Sequence, residues 1–131
     1  MKISTLHRSK ETEKMDDFSL EGIMLKTALD KIATINQLLG GNAITLQGVA
    51  KLLAKGSTEK EVTILDIGCG NGDMLRKLAD YGIKNNLKLR FIGLDANPYT
   101  ISHAQNLSQK YANIEFCCVN LFSDIIHKEV K

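Results

Sequence analysis

ILDIGCGNGD, residues 64–73, decides how the rest of the chain is read. It opens as a branched apolar run and places an acid at Asp66. Gly68, Gly70 and Gly72 then alternate, and a second acid follows at Asp73. An apolar run from Val62 to Ile67 that stops at a glycine predicts a strand buried on both faces, as in a parallel sheet. Glycines directly after such a strand let a ligand approach the backbone where a side chain would block it. The acid at 73 falls in the first turn of the helix that follows, where the helix dipole favours negative charge.

Downstream, the spacing predicts a helix over Asp73–Tyr81 with Met74, Leu75 and Leu78 inward and Gly82 as its stop. Leu89–Asp95 (LRFIGLD) reads as a second strand. Asn97 caps a further helix with Pro98 in its first turn, running to about Tyr111. Ile114–Val119 (IEFCCV) reads as a third strand, before a turn and a short amphipathic tail from Ser123. Upstream, Leu20, Ile23, Met24, Ala28, Leu29, Ile32, Ile35, Leu38 and Leu39 recur at helical spacing. They predict a helix over Ser19–Leu39, started by Asp17 or Ser19 and stopped by Gly40-Gly41. A second helix is predicted over Thr45–Lys55, with Leu46, Val49, Leu52 and Leu53 inward and Gly56 as its stop. Ser57–Glu61 is a polar connector, and residues 1–18 read as a polar arm in which Met15 and Phe18 are the large apolar groups after Leu6.

Two helices followed by strand–helix–strand–helix–strand predict an α/β fold, a Rossmann-like three-layer sandwich of which the chain builds part. Right-handed crossovers place the three parallel strands in the order 3-2-1. The expected organisation is an arm and helical leader over residues 1–56 and a Rossmann-like half-domain over residues 57–131.

Bulk composition narrows the function classes. With 131 residues, 44% hydrophobic, 24% charged and one proline, the chain reads as one soluble globular domain. A net charge of +2 gives no argument for nucleic acid or an anionic membrane. No apolar stretch approaches the roughly 20 residues that span a bilayer. The start MKISTLHRSKETEK lacks the apolar core of a secretory signal, so a cytoplasmic location is expected. Cys69, Cys117 and Cys118 form neither a disulfide framework nor a metal-ligand spacing and are expected as reduced thiols, the last two as small fillers of a buried strand. His7, His103 and His127 have no partner carboxylate nearby in sequence and read as surface or helix-face residues. Lys51, Lys55, Lys60, Arg76, Lys77, Lys84 and Lys88 read as solvated faces. Asn97-Pro98-Tyr99 is explained by helix capping.

In a sheet of this kind ligands bind beyond the carboxyl ends of the strands. Asp66–Gly72, Asp95–Asn97 and Asn120–Phe122 all reach that edge. A dinucleotide would need a third glycine at position 73, which holds Asp73; its carboxylate would repel a pyrophosphate bound to the same amides. S-adenosylmethionine carries no phosphate. Its methionine tail suits a glycine loop beside an acid, and its ribose diol suits an acid at the end of the second strand.

Ile64–Gly72 resembles motif I of class I S-adenosylmethionine-dependent methyltransferases: apolar–apolar–acid–apolar–Gly-x-Gly-x-Gly. Phe91–Asp95 resembles their second-strand motif, and Ile114–Leu121 their third-strand motif. The resemblance implies that Asp66, Gly68, Cys69, Gly70 and Gly72 face the methionine tail and that Asp95 takes the ribose hydroxyls. It implies that Asn120 meets the adenine amino group, an amide in place of the usual Asp, and that Ala96 and Leu121 flank the ring. The run MDDF and the helix ending in INQLLGG are similar to the leader of ubiquinone- and menaquinone-biosynthesis-type small-molecule methyltransferases, where leader helices cover the cofactor and shape the acceptor pocket.

The family's sheet resembles 3-2-1-4-5-7-6, and the sequence stops at Lys131, where a fourth strand would begin. A catalytic acid or base is therefore not assigned, and no metal is expected. The expectation is the cofactor-binding part of a methyltransferase acting on a small molecule, truncated before strand four. The open edge of the first strand is expected to pair with a second copy of the chain. The rival readings are a non-catalytic or oligomerising module and an NAD-dependent oxidoreductase.

Overall fold

The structure, a computed structural model, describes residues 22–56 and 59–121. The expected arm with Leu6, Met15 and Phe18, the caps Asp17 and Ser19, Phe122, the tail from Ser123, and His7 and His127 lie outside the described residues. Among the described residues, four helices and three strands follow in the order α1 (Ile23–Leu38), α2 (Gly41–Leu53), β1 (Val62–Ile67), α3 (Asp73–Lys84), β2 (Leu89–Asp95), α4 (Pro98–Leu107) and β3 (Ile114–Cys118).

The sheet is parallel, with β2 between β1 and β3, the strand order the sequence predicts. Its register pairs Ile64 with Phe91 and Phe91 with Ile114, so these three side chains form one row on one face. Asp66, Gly93 and Phe116 form the next row toward the carboxyl ends. The core gathers on this face: Leu75 and Leu78 of α3, Ile101 of α4 and Leu89 and Phe91 of β2 are buried, with Leu46, Val49 and Leu53 of α2 packed against them. Full burial of side chains such as Leu75 and Phe91 stabilises the fold by about 1.5–3 kcal/mol each. The described residues thus build the sheet and one helical layer.

Several sequence expectations change with packing. β1 is not buried on both faces: Leu65 and Ile67 point away from the helical layer and are 43% and 58% exposed. In α1 the buried stripe is Leu25, Leu29 and Ala33, at steps of four, whereas Ile23, Met24, Leu38 and Leu39 lie in solvent. Gly40 does stop α1, at φ 72°, but Gly41 is the first residue of α2, which starts earlier than predicted, and Leu52 on α2 faces out. Gly82 is not the stop of α3. The helix continues to Lys84 and ends where Asn86 takes φ 52°. Gly82 is instead a close approach: a Cβ there would lie 2.8 Å from Leu89 Cδ1. α4 ends at Leu107, short of Tyr111. Its cap is as expected, Asn97 Oδ1 accepting from Tyr99 N at 2.9 Å and Thr100 N at 3.1 Å.

The Phe116 ring is packed between two glycines. A Cβ at Gly93 would stand 2.7 Å from Phe116 Cδ1 and 2.9 Å from Cys69 Sγ, and one at Gly72 would stand 2.7 Å from Phe116 Cζ. Gly93→Ala should therefore lower stability by about 1–3 kcal/mol in urea denaturation, the usual cost of overpacking. Gly48, inside α2, gives the contrast, because a Cβ there would meet nothing within 4 Å. Gly48→Ala should raise stability by about 0.5–1 kcal/mol. Equal effects at the two positions would show that the ring contact does not limit position 93.

Candidate functional site

The loop after β1 is pinned to the end of β2. Gly68 N and Cys69 N both donate to Leu94 O, at 2.8 and 2.9 Å, and Gly72 N closes a turn on Cys69 O at 2.9 Å. Gly68, Gly70 and Gly72 all take left-handed conformations, with φ of 76°, 55° and 76°. At Gly68 nothing lies within 4 Å of where a Cβ would be, so its bare backbone faces open space. That conformation favours glycine on backbone grounds alone.

Asp95 joins this loop to the next. Its Oδ2 accepts from Gly70 N at 3.3 Å and its Oδ1 from Asn97 N at 3.0 Å. The carboxylate is thereby fixed at the carboxyl edge with a lone pair on each oxygen still to offer. Val119 N donates to Asp95 O at 2.9 Å and Cys118 Sγ to Ala96 O at 3.5 Å, which draws the third loop alongside the second. Asn120 and Leu121 follow there, both exposed.

A cleft of about 420 Å³ separates the glycine loop from α1 and α2. Asp66, Gly68, Cys69, Gly70 and Asp73 line its sheet side; Leu29, Ile32 and Asn36 of α1 and Asn42 and Thr45 of α2 line the other. The structure thus brings Asp66 and the first part of the glycine loop into one cleft. Asp95, Ala96, Asn120 and Leu121 lie outside that lining and form a second stretch along the same sheet edge. Cys69 has two aspects: it borders the cleft, while its side chain is buried in the core beneath Gly93.

Electrostatically the cleft is one-sided. Burial pushes the Asp66 carboxyl up, and the nearby charge of Asp73 pushes it further. Burial, then Asp95 and Asp66, raise the Cys69 thiol to about 12. Asp73 is held by Asn42 Nδ2 at 2.9 Å. Among the described residues neither Asp66 nor Asp73 has a salt-bridge partner. Such a cleft favours a positively charged guest over an anion. Among the described residues no group of three or more His, Cys, Asp or Glu could hold a metal, and no helix is long and apolar enough to cross a membrane.

Sequence reasoning missed the side chains that brace this site. His103 lies on α4, and it has a carboxylate partner far outside sequence range: its Nε2 lies 2.9 Å from Asp30 Oδ1, a contact across 73 positions. Arg76 is not on a solvated face. It is half-buried and donates to Asn71 O and to Ser108 Oγ. Asn71 is buried, its Oδ1 accepting from Asp73 N at 3.1 Å. An Asn two residues before an acidic first turn was a readable local signal for that last bond; the others depend on packing. The cysteines form no disulfide; Cys117 is half-buried and Cys118 exposed, so they are not both core fillers.

Comparison with known proteins places this geometry. Residues 58–129, more than half of the chain, match the family described as "Methyltransferase domain". No curated protein matches. Among solved structures, the chain is similar to the DszA carbon methyltransferase (TM-score 0.62, 14% identity, 77% of this chain and 28% of that one). It is also similar to the CurJ carbon methyltransferase (TM-score 0.56, 22% identity, 63% and 22%). A third is the plantazolicin methyltransferase BpumL in complex with SAH (TM-score 0.50, 25% identity, 77% and 36%). The chain thus spans about a quarter to a third of the length of the structures it resembles.

The charge tension at Asp66 has a measurable consequence. An acid whose folded pKa is raised binds protons more readily folded than unfolded, so it lowers stability as pH rises from the unfolded value of about 3.9 through the folded one. Asp66→Asn should leave stability unchanged near pH 3 and raise it at pH 7, as read from thermal melts across that window. A variant less stable than the parent at pH 7 would contradict the assigned burial and repulsion.

Proposed function

The chain belongs to the methyltransferase-domain family, and on that premise we propose that its cleft binds S-adenosylmethionine, as the cofactor-binding part of an enzyme that methylates a small molecule. One observation carries this reading: the left-handed Gly68 and Gly70 border a cleft whose two carboxylates have no salt-bridge partner among the described residues. A pyrophosphate would meet Asp66 and Asp73 as like charges. A methionine tail brings an ammonium, which Asp66 satisfies, and Gly68 and Gly70 leave room for the backbone to approach the rest.

Asp95, its carboxylate already aligned by Gly70 N and Asn97 N, accepts the ribose hydroxyls through its remaining lone pairs. Asn120 meets the adenine amino group through its amide carbonyl, and Ala96 and Leu121 flank the ring. Cys69 and Gly72 contribute backbone: Cys69 because its side chain is buried, Gly72 because its own packing against Phe116 fixes the loop's exit. Held by Asp66, Gly68, Gly70 and Asp95, the cofactor would supply an activated methyl group on a sulfonium, whose neutral thioether is a good leaving group. The residues here bind and orient. In-line transfer depends chiefly on such positioning.

Residues 1–56 act as arm and leader and residues 57–131 as the cofactor half-domain; α1 and α2 cover the cleft and shape its acceptor side. Leu29, Ile32 and Met74 line it beside the polar groups, which suits a small, partly apolar acceptor, and a net charge of +2 offers no field for nucleic acid. The protein works in the cytoplasm. Along β1, a strand edge with no partner among the described residues and the exposed Leu65 and Ile67 favour pairing with a second copy. Light scattering on the purified chain should give a dimer mass; a monomer at high concentration would remove that pairing.

Calorimetry should show S-adenosylmethionine binding and no binding of NAD. Asp95→Ala should weaken the cofactor by about 1–3 kcal/mol, the cost of losing charged hydrogen bonds. Asp66→Asn should also weaken it while leaving the fold intact. Binding of NAD, or full affinity in both variants, would overturn the assignment.

A further inference from the structure

One oxygen of Asp30, in the middle of α1, joins three elements. Asp30 Oδ1 accepts from Asn71 Nδ2 at 3.3 Å and lies 2.9 Å from His103 Nε2 on α4. Asn71 is the buried centre of the glycine loop. Its Oδ1 accepts from Asp73 N and its main-chain oxygen takes the Arg76 guanidinium, so a shift of Asp30 is passed to the backbone between Gly70 and Gly72. The neighbouring Leu29 forms the facing wall of the cleft, its Cδ2 3.8 Å from where a Cβ on Gly70 would lie. Movement of α1 and the shape of the loop are therefore one mechanical question.

We infer that Asp30 is a positioning residue: bridged to Asn71 and His103, it latches α1 across the glycine loop and sets the width of the cleft. This goes beyond the cofactor assignment and rests on it only where the cofactor serves as a probe. The charged groups facing Asp30 are His103 of α4, Lys26 one turn earlier on α1 and, at longer range, Arg76 of α3. The hydrogen bond from His103, more than any other favourable contact, holds the Asp30 carboxyl below its usual range. The latch needs an acceptor at position 30 and a donor at position 103, so a conservative variant that keeps either group should keep it. A residue of only global value would loosen β2 together with α1.

Hydrogen–deuterium exchange on the full 131-residue chain reads the latch directly. Residues 23–38 and 68–73 are followed beside residues 89–95 of β2, with and without S-adenosylhomocysteine. Asp30→Ala should speed exchange in α1 and the loop by about threefold to tenfold while β2 keeps its protection. Asp30→Asn, which keeps the Oδ1 acceptor, and His103→Gln, which keeps a donor, should retain most of the α1 and loop protection that Asp30→Ala loses. Unchanged α1 protection in Asp30→Ala overturns the latch. So does equal loosening of α1 and β2, or a loss in Asp30→Asn as large as that in Asp30→Ala. Absence of any protection by S-adenosylhomocysteine in the parent would count against the cofactor reading alone, because the ligand-free exchange still decides the latch.

Discussion

The grip of β2's last two residues on the neighbouring loops is the constraint on which the site depends. Leu94 O takes the amides of Gly68 and Cys69, and the Asp95 carboxylate takes those of Gly70 and Asn97. Hydrogen bonds to a charged acceptor contribute about 1.5–3 kcal/mol each. That is enough to hold a loop of three left-handed glycines, whose unfolded freedom is otherwise costly to lose. Because β2 is the central strand and carries the buried Leu89, Phe91 and Leu94, the position of the loop is inherited from the best-packed part of the molecule. The same bonds orient the Asp95 carboxylate before any ligand arrives, which spares a binding partner that ordering cost.

The parts legible in the sequence were those whose cause is local. β1 and β2 lie where a branched run meets a glycine and an acid, and the α4 cap follows from Asn97 and Pro98 alone. The glycine loop and its flanking acids are contiguous, so their meeting at one edge needed only the strand order. What was not legible depends on distance. The contacts of Asp30 with His103, Asn42 with Asp73 and Arg76 with Ser108 span 73, 31 and 32 positions, and no local pattern announces them. α1 misleads for another reason. Apolar residues lie nearly all round it, so periodicity could not select Leu25, Leu29 and Ala33 as the buried stripe. Gly82 shows the same limit, since its role is to admit the Leu89 side chain and not to end a helix.

The two helices α1 and α2 and the sheet edge line the cleft unequally. The sheet side contributes the carboxylates, and at Asp66 burial and the charge of Asp73 make ionisation costly. The helices contribute neutral amides and a hydroxyl, with Asn42 already committed to Asp73. On the proposed reading, stability and recognition are opposed at Asp66: its charge burdens the fold and would serve a cationic guest, a common pattern where function sets a residue against folding.

The three thiols, one buried and two near the third strand's end, sort themselves by chemistry. A thiolate is the reactive species, and the Cys69 thiol, raised to about 12, supplies almost none near neutrality. Cys118 is exposed and its sulfur rests against the carbonyl of Ala96. A maleimide dye or spin label applied to the unmodified sequence would thus favour Cys118 over Cys69, and Cys118 stands beside Asp95 in the parallel register. The fold carries its own attachment point for an optical reporter at the carboxyl edge of the sheet.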